Sequence, residues 1–438
     1  VAGSGVFGVV TTNTISEGDT RRASLEVLLA QGVQIYRARK SFEWPGNASL
    51  FVTVIHCARG SRHFARYLDN KIVALIDATL GSVTSVITPH PLVVQSGIAF
   101  KGTGLGGDWF LLSSEDVERL GREYLELGLI KPYILGQVLV NSPELTPDSC
   151  CIDFQDMTLA EAEMHYSLFS LLHKRFVSRQ AKQEADDDKQ WWRHRRTART
   201  LYDRIAELKV EKVVLKAQTA KAWAFIEAPA GWIYDQSVIV YVSEREDLLH
   251  ILQSSMHEAW VLKYSSTHET RLRYSPSDVF VNFPLPPYHA NSAGMEYQEC
   301  RKKGMLLRNE GLTAIYNQFN DPHELSGLFV RMRQLQAEID YLVATAYGWT
   351  DLDLGHGFHE TPQGTRFTIS EPARTGQLAR WYSSGTMRLF SPGSNRPSYT
   401  QLVLSTPRAS PSAGSSTELT LVPDSNGPAA LLNGRRSQ

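Results

Sequence analysis

The sequence predicts an α+β protein of more than one domain, and three observations support that prediction. Both strand-like and helix-like runs occur along the chain, and its 438 residues are 42% hydrophobic and 21% charged. That much apolar material is enough for two or three packed domains. No apolar run approaches the roughly 20 residues that a membrane-spanning helix needs. We therefore expect a cytoplasmic protein with no membrane partner.

Charge and cysteine content narrow the classes of partner and cofactor. The net charge is -1, and the four cysteines show no C-x-x-C spacing. The chain has no global basic field, so any surface that binds a polyanion must be local. We expect reduced cysteines and no zinc site.

The N-terminal region has the order strand, helix, hairpin. Residues 6–12 (VFGVVTT) would place apolar side chains on both faces of a strand. This pattern predicts a parallel strand that is covered on both faces. A short helix at 24–31, closed by Gly32, precedes two strand-like runs, 34–43 and 49–58, which are joined by the turn sequence WPGN.

The middle of the chain alternates helices with strands. Capping boxes begin helices at Thr158 and Ser243, and Leu248, Leu252, Met256 and Trp260 form an apolar stripe behind the second box. Another helix is predicted at 114–127, with its apolar side chains inward. The predicted strands are 212–216, 223–227, 238–242 and an edge strand through Val279, Val281 and Phe283.

The C-terminal region is helical and then changes character. Leu328, Met332, Leu335 and Ile339 continue a helical seam that ends at Gly348. From Thr375 onward Ser, Pro, Thr and Gly follow without a period, which predicts disorder. A shifted reading frame is one cause that would produce such a tail.

The stretch from Leu252 to Pro286 carries a resemblance to a known family. Its wording, with HEAW followed by RYSPSDVFVNFPLP, resembles the end of the target-recognition domain in MmeI-type restriction-modification enzymes. The segments TTNTISEGDTRR, WPGNA, LIKPYILGQVL and DLDLGHGFHET resemble the same family. The resemblance covers about 370 residues and indicates a fragment of a longer protein.

The resemblance implies a domain plan and a reaction. Residues 1–85 would be the remnant of a class I (Rossmann-like) methyltransferase α/β sheet, and 86–290 a mixed α+β target-recognition domain. Residues 291–374 would form a helical C-terminal region, and 375–438 a disordered tail. The whole enzyme would transfer a methyl group from S-adenosylmethionine to adenine N6 in duplex DNA, often with a fused nuclease.

Two motifs that this reaction needs are missing from the sequence. The family's glycine-rich cofactor loop and its Asn-Pro-Pro-aromatic tetrapeptide have no counterpart here. Without them we expect the fragment to bind S-adenosylmethionine weakly or not at all. We also expect it to be inactive without its missing N-terminal methyltransferase part.

One polar loop is a candidate for the edge of the methyltransferase cleft. It follows the first predicted strand, at the edge where open α/β sheets bind their ligands. The alternative is a polar loop that caps the next helix through Asp19 or Thr20, and both interpretations stay open. The candidate residues are Asn13, Ser16, Gly18, Asp19 and Thr20.

The region from His173 to Lys221 is locally basic. It holds 14 Lys and Arg against 7 Asp and Glu, and QWWRHRRTAR lies near its centre. Basic side chains interleaved with aromatic ones suit contact with phosphates and stacking on nucleobases. Trp191 and Trp192, however, fit a protein core better. The predicted DNA-binding residues are Arg193, Arg195, Arg196, Arg199, Lys216, Lys221, Arg271 and Arg273.

Other motifs favour structure over chemistry. Two G-x-G-x-x-G matches, which begin at Gly3 and Gly102, lack the strand-to-helix context of a cofactor loop, so both are predicted turns. His356 and His359 lie in a glycine-rich segment that we interpret as a structural loop. A hydrolase that uses these histidines or Ser254 is a minor alternative.

The sequence therefore predicts DNA recognition within an adenine-N6 methyltransferase, without catalytic or metal-binding residues in this fragment. Double-stranded DNA is the expected partner. The alternative is a noncatalytic DNA specificity subunit that docks on a separate methyltransferase.

Overall fold

The computed structural model describes most of the chain as far as residue 383. The described ranges are 4–45, 50–60, 64–81, 92–121, 123–180, 190–268, 271–287, 292–361 and 363–383. They lie within one compact unit, Val1–Pro392. The mixed α+β fold class predicted from the sequence is confirmed.

The first sheet is built from residues 5–73. Its strands run in the order β1-β3-β2-β4-β5, and β3 lies antiparallel to both β1 and β2. The predicted helix and hairpin are confirmed. The elements are β1 (Gly5–Thr12), α1 (Gly18–Ala23), α2 (Leu25–Ala30), β2 (Val33–Glu43), β3 (Phe51–Arg59), β4 (Arg66–Leu68) and β5 (Lys71–Val73).

The first strand is not the covered parallel strand that its sequence predicts. β1 lies at the sheet edge, antiparallel to β3, and Val6 and Val10 are 54% and 58% exposed. The opposite face of the sheet does pack, because Ile35, Ile55 and Cys57 form a buried cluster with Leu25. The apolar run therefore predicted the strand correctly, but it did not predict which strands lie beside it.

Residues 99–241 form two four-stranded sheets with helices around them. The sheet orders are β11-β10-β13-β6 and β12-β8-β9-β7. The elements are β6 (Ala99–Lys101), β7 (Leu111–Leu112), α3 (Ser114–Leu120), α4 (Glu123–Glu126), β8 (Ile130–Ile134), α5 (Gly136–Asn141), β9 (Ser149–Ile152), α6 (Leu159–Met164), α7 (Tyr166–Gln180), α8 (Arg199–Leu208), β10 (Lys212–Ala217), β11 (Ile226–Pro229), β12 (Ile233–Tyr234) and β13 (Val238–Tyr241).

One of two helix predictions in this region needs correction. The helix predicted at 114–127 is broken at Gly121, which has a φ of 88° that favours glycine, and Leu127 is 53% exposed rather than inward. The capping box at Thr158 is confirmed, with reciprocal bonds between Thr158 and Glu161.

The segment that carried the family resemblance folds as two helices, a hairpin and a π-helical turn. These are α9 (Leu248–Gln253), α10 (Ser255–Tyr264), β14 (Ser266–His268), β15 (Arg271–Arg273) and the turn Pro276–Phe280. The helix predicted to begin at the Ser243 box begins instead after Asp247 and is interrupted at Ser254, which caps α10.

The predicted edge strand through Val279 is also wrong. Val279, Phe280 and Phe283 are fully buried in the π-helical turn and the residues after it. The indole of Trp260 donates to the Val279 carbonyl at 2.8 Å, which ties the turn to α10. Alternating apolar residues here serve a compact turn rather than a sheet.

The C-terminal elements share their core with the preceding region. They are α11 (Ser292–Arg308), α12 (Leu312–Phe319), α13 (Gly327–Ala346), β16 (Gly357–Thr361), β17 (Gly364–Thr368) and α14 (Glu371–Ser383). The predicted seam of α13 is buried at Met332, Leu335 and Ile339. One hydrophobic cluster extends from Ile134 to Trp381, so the boundaries at 85 and 290 remain predictions.

Helix α14 crosses the predicted start of the tail at residue 375. Trp381 is fully buried and packs edge-on against Trp260 at 5.2 Å between ring centroids. That burial explains why the helix continues past Thr375. The rest of the predicted tail, from residue 384, lies outside the described residues.

Candidate nucleic-acid interface

The centre of the basic segment is anchored in a hydrophobic core. The Trp191 ring stacks on Phe176 at 4.8 Å, and the Trp192 indole donates to the Met157 carbonyl at 3.1 Å. Arg193 donates through Nε to the same carbonyl at 2.9 Å. Both tryptophans are therefore core residues, as the sequence favoured, and Arg193 is a structural anchor.

Arg195 and Arg196 point outward from that anchor. Both are exposed, and Arg196 exchanges two backbone hydrogen bonds with Gly104, at 2.9 and 3.0 Å. No carboxylate within the described ranges lies within 4 Å of either guanidinium. Arg199, by contrast, pairs with Asp156 at 3.2 Å and Asp203 at 3.9 Å. Only the first two arginines are thus available without breaking an ion pair.

Lys216 does not belong to a surface. Its side chain is buried beneath aromatic rings, with Nζ 4.4 Å from the centroid of Trp223 and 4.9 Å from that of Phe225. Burial lowers the pKa of Lys216 to about 7. This position fits a core contact, and we no longer expect Lys216 to reach a phosphate.

The remaining predicted basic residues lie on or near the β14–β15 hairpin. Arg273 is exposed on β15 and its backbone bridges to Thr219, while Lys221 is exposed nearby on the chain. The side chain of Arg271 lies outside the described part, although its backbone belongs to β15. The hairpin therefore presents Arg273 next to the end of β10.

Lys101 lies near Arg196 and Arg273. No pattern in the sequence marked it as a candidate for DNA binding. It is half-buried on β6, and its pKa is lowered by burial first, then by the charges of Arg196 and Arg273. The carboxylate of Asp235 acts in the opposite direction. Arg196 and Arg273, from two other chain segments, thus both lie close enough to Lys101 to repel its charge.

The predicted cleft loop lies beside the same hairpin. Asn13–Ser16 forms a 3-10 turn that packs near β14, and Gly18–Ala23 forms α1. The N-cap of α1 is Glu17, not Asp19 or Thr20. The side chains of Asn13 and Asp19 and the surroundings of Gly18 lie outside the described part, so the loop's role stays a prediction.

The glycine motif at Gly102 serves close packing. A Cβ on Gly102 would lie 2.2 Å from the Asp235 carbonyl oxygen, and one on Gly106 would lie 3.0 Å from Arg195 Cβ. Only glycine lets β6 and the residues after it approach these neighbours. In the first motif, Gly5 and Gly8 lie within β1 rather than in a loop that opens a helix, and Gly3 lies outside the described residues.

The histidines and the serine of the hydrolase alternative have structural partners. His356 Nε2 contacts Asp340 Oδ2 at 2.9 Å, whereas His359 lies on β16 and contacts the Gly355 carbonyl. Ser254 caps α10. Within the described ranges no group of three or more His, Cys, Asp or Glu residues could hold a metal.

Comparison with known proteins gives a fold relative. No family model and no curated protein matches the chain. Among solved structures, the type IIL restriction-modification enzyme MmeI, determined in complex with DNA, matches with a TM-score of 0.58 and 17% identity. The match covers 87% of this chain and 50% of MmeI, so the chain spans about half of that protein's length.

This likeness establishes a shared fold. The type IIG restriction endonuclease BpuSI also matches, at 11% identity over 78% of this chain and 47% of that one, but its TM-score is 0.28. That score is too low for an argument. In the part of the chain that the structure describes, no helix is long and apolar enough to span a bilayer.

Proposed function

We propose that this chain recognises duplex DNA as the sequence-reading part of a restriction-modification methyltransferase. The observation that carries the proposal is that backbone pairings bring the segments of Lys101, Arg196 and Arg273 together in a chain whose net charge is -1, and both arginines act on the charge of Lys101. The pKa of Lys101 stays lowered although the Asp235 carboxylate acts against the two arginines, so repulsion between the cations is not fully offset, and a polyanion would relieve it. Duplex DNA supplies such a charge at regular spacing.

The fold relative supports the same ligand class. MmeI was determined in complex with DNA, and its fold is shared over 87% of this chain. The segment from Leu252 to Pro286, which resembles the family, folds into the helices beside the β14–β15 hairpin and into the hairpin itself, which carries Arg273. These two lines of support are independent of the charge argument.

We propose that the residues of this chain do not carry out methyl transfer. Modification of adenine N6 requires the base to leave the stack and its amino group to be polarised, and the tetrapeptide for that role is absent from the sequence. S-adenosylmethionine would supply the methyl group, but neither glycine motif is built as its cradle. No catalytic step is assigned to residues of this chain.

Filter binding across a salt series tests the proposal. A duplex enriched from a random pool should bind more tightly than random duplex, and both affinities should fall as salt rises. Arg196→Ala should weaken both. Arg331→Ala should not, because Arg331 is held by Glu296 at 2.7 Å far along the chain. Equal binding of selected and random duplex at every salt would sink the proposal, and methyl transfer by the isolated chain would overturn the assignment of chemistry.

A further inference from the structure

A three-residue turn, Asp235–Ser237, lies between the segments that carry the cationic residues. Asp235 Oδ1 accepts from the Ser237 backbone N–H at 2.8 Å, and Asp235 Oδ2 accepts from the Tyr133 hydroxyl at 2.6 Å. Ser237 Oγ accepts from the Gly136 N–H at 2.9 Å. The turn is therefore fixed from both sides by residues about 100 positions earlier in the chain.

The backbone of this turn connects to both arginine-bearing segments. Thr103 bridges to Asp235, and the next residue, Gly104, pairs with Arg196. On the other side, the Gln218 N–H donates to the Ser237 carbonyl at 2.8 Å, and Thr219 bridges to Arg273. Arg196 and Arg273 thus flank the turn.

Gln236 occupies the tip of the turn. Its side chain is exposed, and its amide makes no hydrogen bond with any described residue. A methyl group added at Gly104 would meet Gln236 Oε1 at 3.3 Å and Arg196 Cβ at 3.5 Å. The absence of a side chain at Gly104 leaves room for the amide beside Arg196.

This arrangement combines a fixed support with a free hydrogen-bonding group. Base reading needs a side chain held in place by its supporting residues, with cations nearby to hold the phosphates on either side. A glutamine amide can donate an N–H to adenine N7 and accept from the N6 amino group through its oxygen, both in the major groove. A buried structural role would instead give the amide a protein partner.

We propose that Gln236 reads an adenine edge in the major groove while Lys101, Arg196 and Arg273 bind the adjacent backbone phosphates. The inference rests on the proposed function and adds a specificity-determining residue to it. Gln236 touches the base, whereas Asp235, Tyr133 and Ser237 position it.

Selection from a randomised duplex pool tests the inference on the full 438-residue chain. Wild-type protein should enrich a motif that contains an adenine whose replacement weakens binding, and Gln236→Ala should lose that preference by about 5- to 150-fold. Other positions of the motif should keep theirs. Gln236→Glu should favour cytosine there, because a carboxylate accepts from cytosine N4. Gln31→Ala, at an exposed glutamine that ends α2, is the matched control and should leave the motif unchanged.

The outcomes separate this inference from the proposed function. No motif with wild-type protein would overturn the proposed function. A wild-type motif that Gln236→Ala keeps at every position, or weakens uniformly, would overturn the role of Gln236 alone. Lost preference at a base other than adenine would overturn the adenine assignment. Thermal melting of Gln236→Ala should match wild type, since the side chain is exposed.

Discussion

Two lysines in one row of the same sheet have opposite surroundings. Lys101 on β6 and Lys216 on β10 both lie opposite Ile239 of β13, so all three side chains point to one face. Rings of Trp223, Phe225 and Tyr274 cover Lys216, whereas Lys101 at the sheet edge is only half-buried and faces other cations. The aromatic cover and the strand position, rather than the residue type, decide which of the two lysines is exposed to solvent.

The largest expected effect comes from removing that cover. Trp223→Ala should lower the free energy of unfolding by about 3 kcal/mol, since a large packed side chain is lost, and should raise the pKa of Lys216. Urea denaturation and NMR titration of the lysine side chains measure the two effects. Trp44→Ala, at a tryptophan that is 39% exposed, is the control. Equal stability of the two variants would show that Trp223 does not seal the sheet centre.

The next effect concerns the support of the edge. Tyr133→Phe removes the hydroxyl that donates to Asp235, and a bond to a charged group contributes about 2 kcal/mol. Burial, the largest cause, and Asp235 raise the pKa of Tyr133 far above its usual range, so this hydroxyl stays protonated. We expect lower stability and weaker selectivity in the duplex selection, with Lys216 unaffected. If Tyr133→Phe left the selectivity unchanged, the support of the Asp235–Ser237 turn would not be needed for base recognition.

The buried lysine should give stability a pH dependence. Its pKa is about 7 in the folded state and 10.5 in the unfolded chain, so the unfolded state binds more protons between those values. The contribution of Lys216 to stability therefore rises with pH above 7, by at most about 1.4 kcal/mol per unit. Lys216→Met should flatten this rise in urea denaturation at pH 7, 8 and 9. Parallel curves for variant and wild type would contradict burial of the ammonium.

The smallest expected effect lies at the sheet edge. Lys101→Ala should weaken binding to all duplexes alike and reduce the slope of log affinity against log salt by about 0.9, as loss of one phosphate contact does. Lys212→Ala is the matched control, because Lys212 already pairs with Glu227 at 3.3 Å. An unchanged slope for Lys101→Ala would show that Lys101 does not contact a phosphate beside Arg196 and Arg273.

The sequence predicted what local patterns determine. The capping box at Thr158 and the seam of α13 were correct because both depend on neighbouring residues within one or two turns. The Ser243 box failed because Asp247 and Ser254 begin the two helices that form. Similarly, the strand of residues 6–12 was correct but its covered, parallel setting was not, since neighbours are set by tertiary structure.

The candidate site was only partly predictable for the same reason. The basic segment marked Arg195 and Arg196, yet it could not separate them from Arg193, which donates to the carbonyl of Met157. Lys216 was misassigned because its covering rings come from positions 223, 225 and 274. Lys101 and Gln236 stand alone in the sequence, and only the meeting of distant segments brings them to the surface of Arg196 and Arg273.

The contacts that hold the Asp235–Ser237 turn determine which segment of the chain could be exchanged between related proteins as one unit. Tyr133 on β8 and Gly136 on α5 donate hydrogen bonds to this turn. An exchange of residues 230–240 alone would therefore put the new turn beside partners from the old protein. A donor segment that begins before Lys101 and ends after Arg273 would carry the turn, the residues that hold it and all three cations together. Recombination within this chain therefore has natural crossover points outside that interval, not inside it.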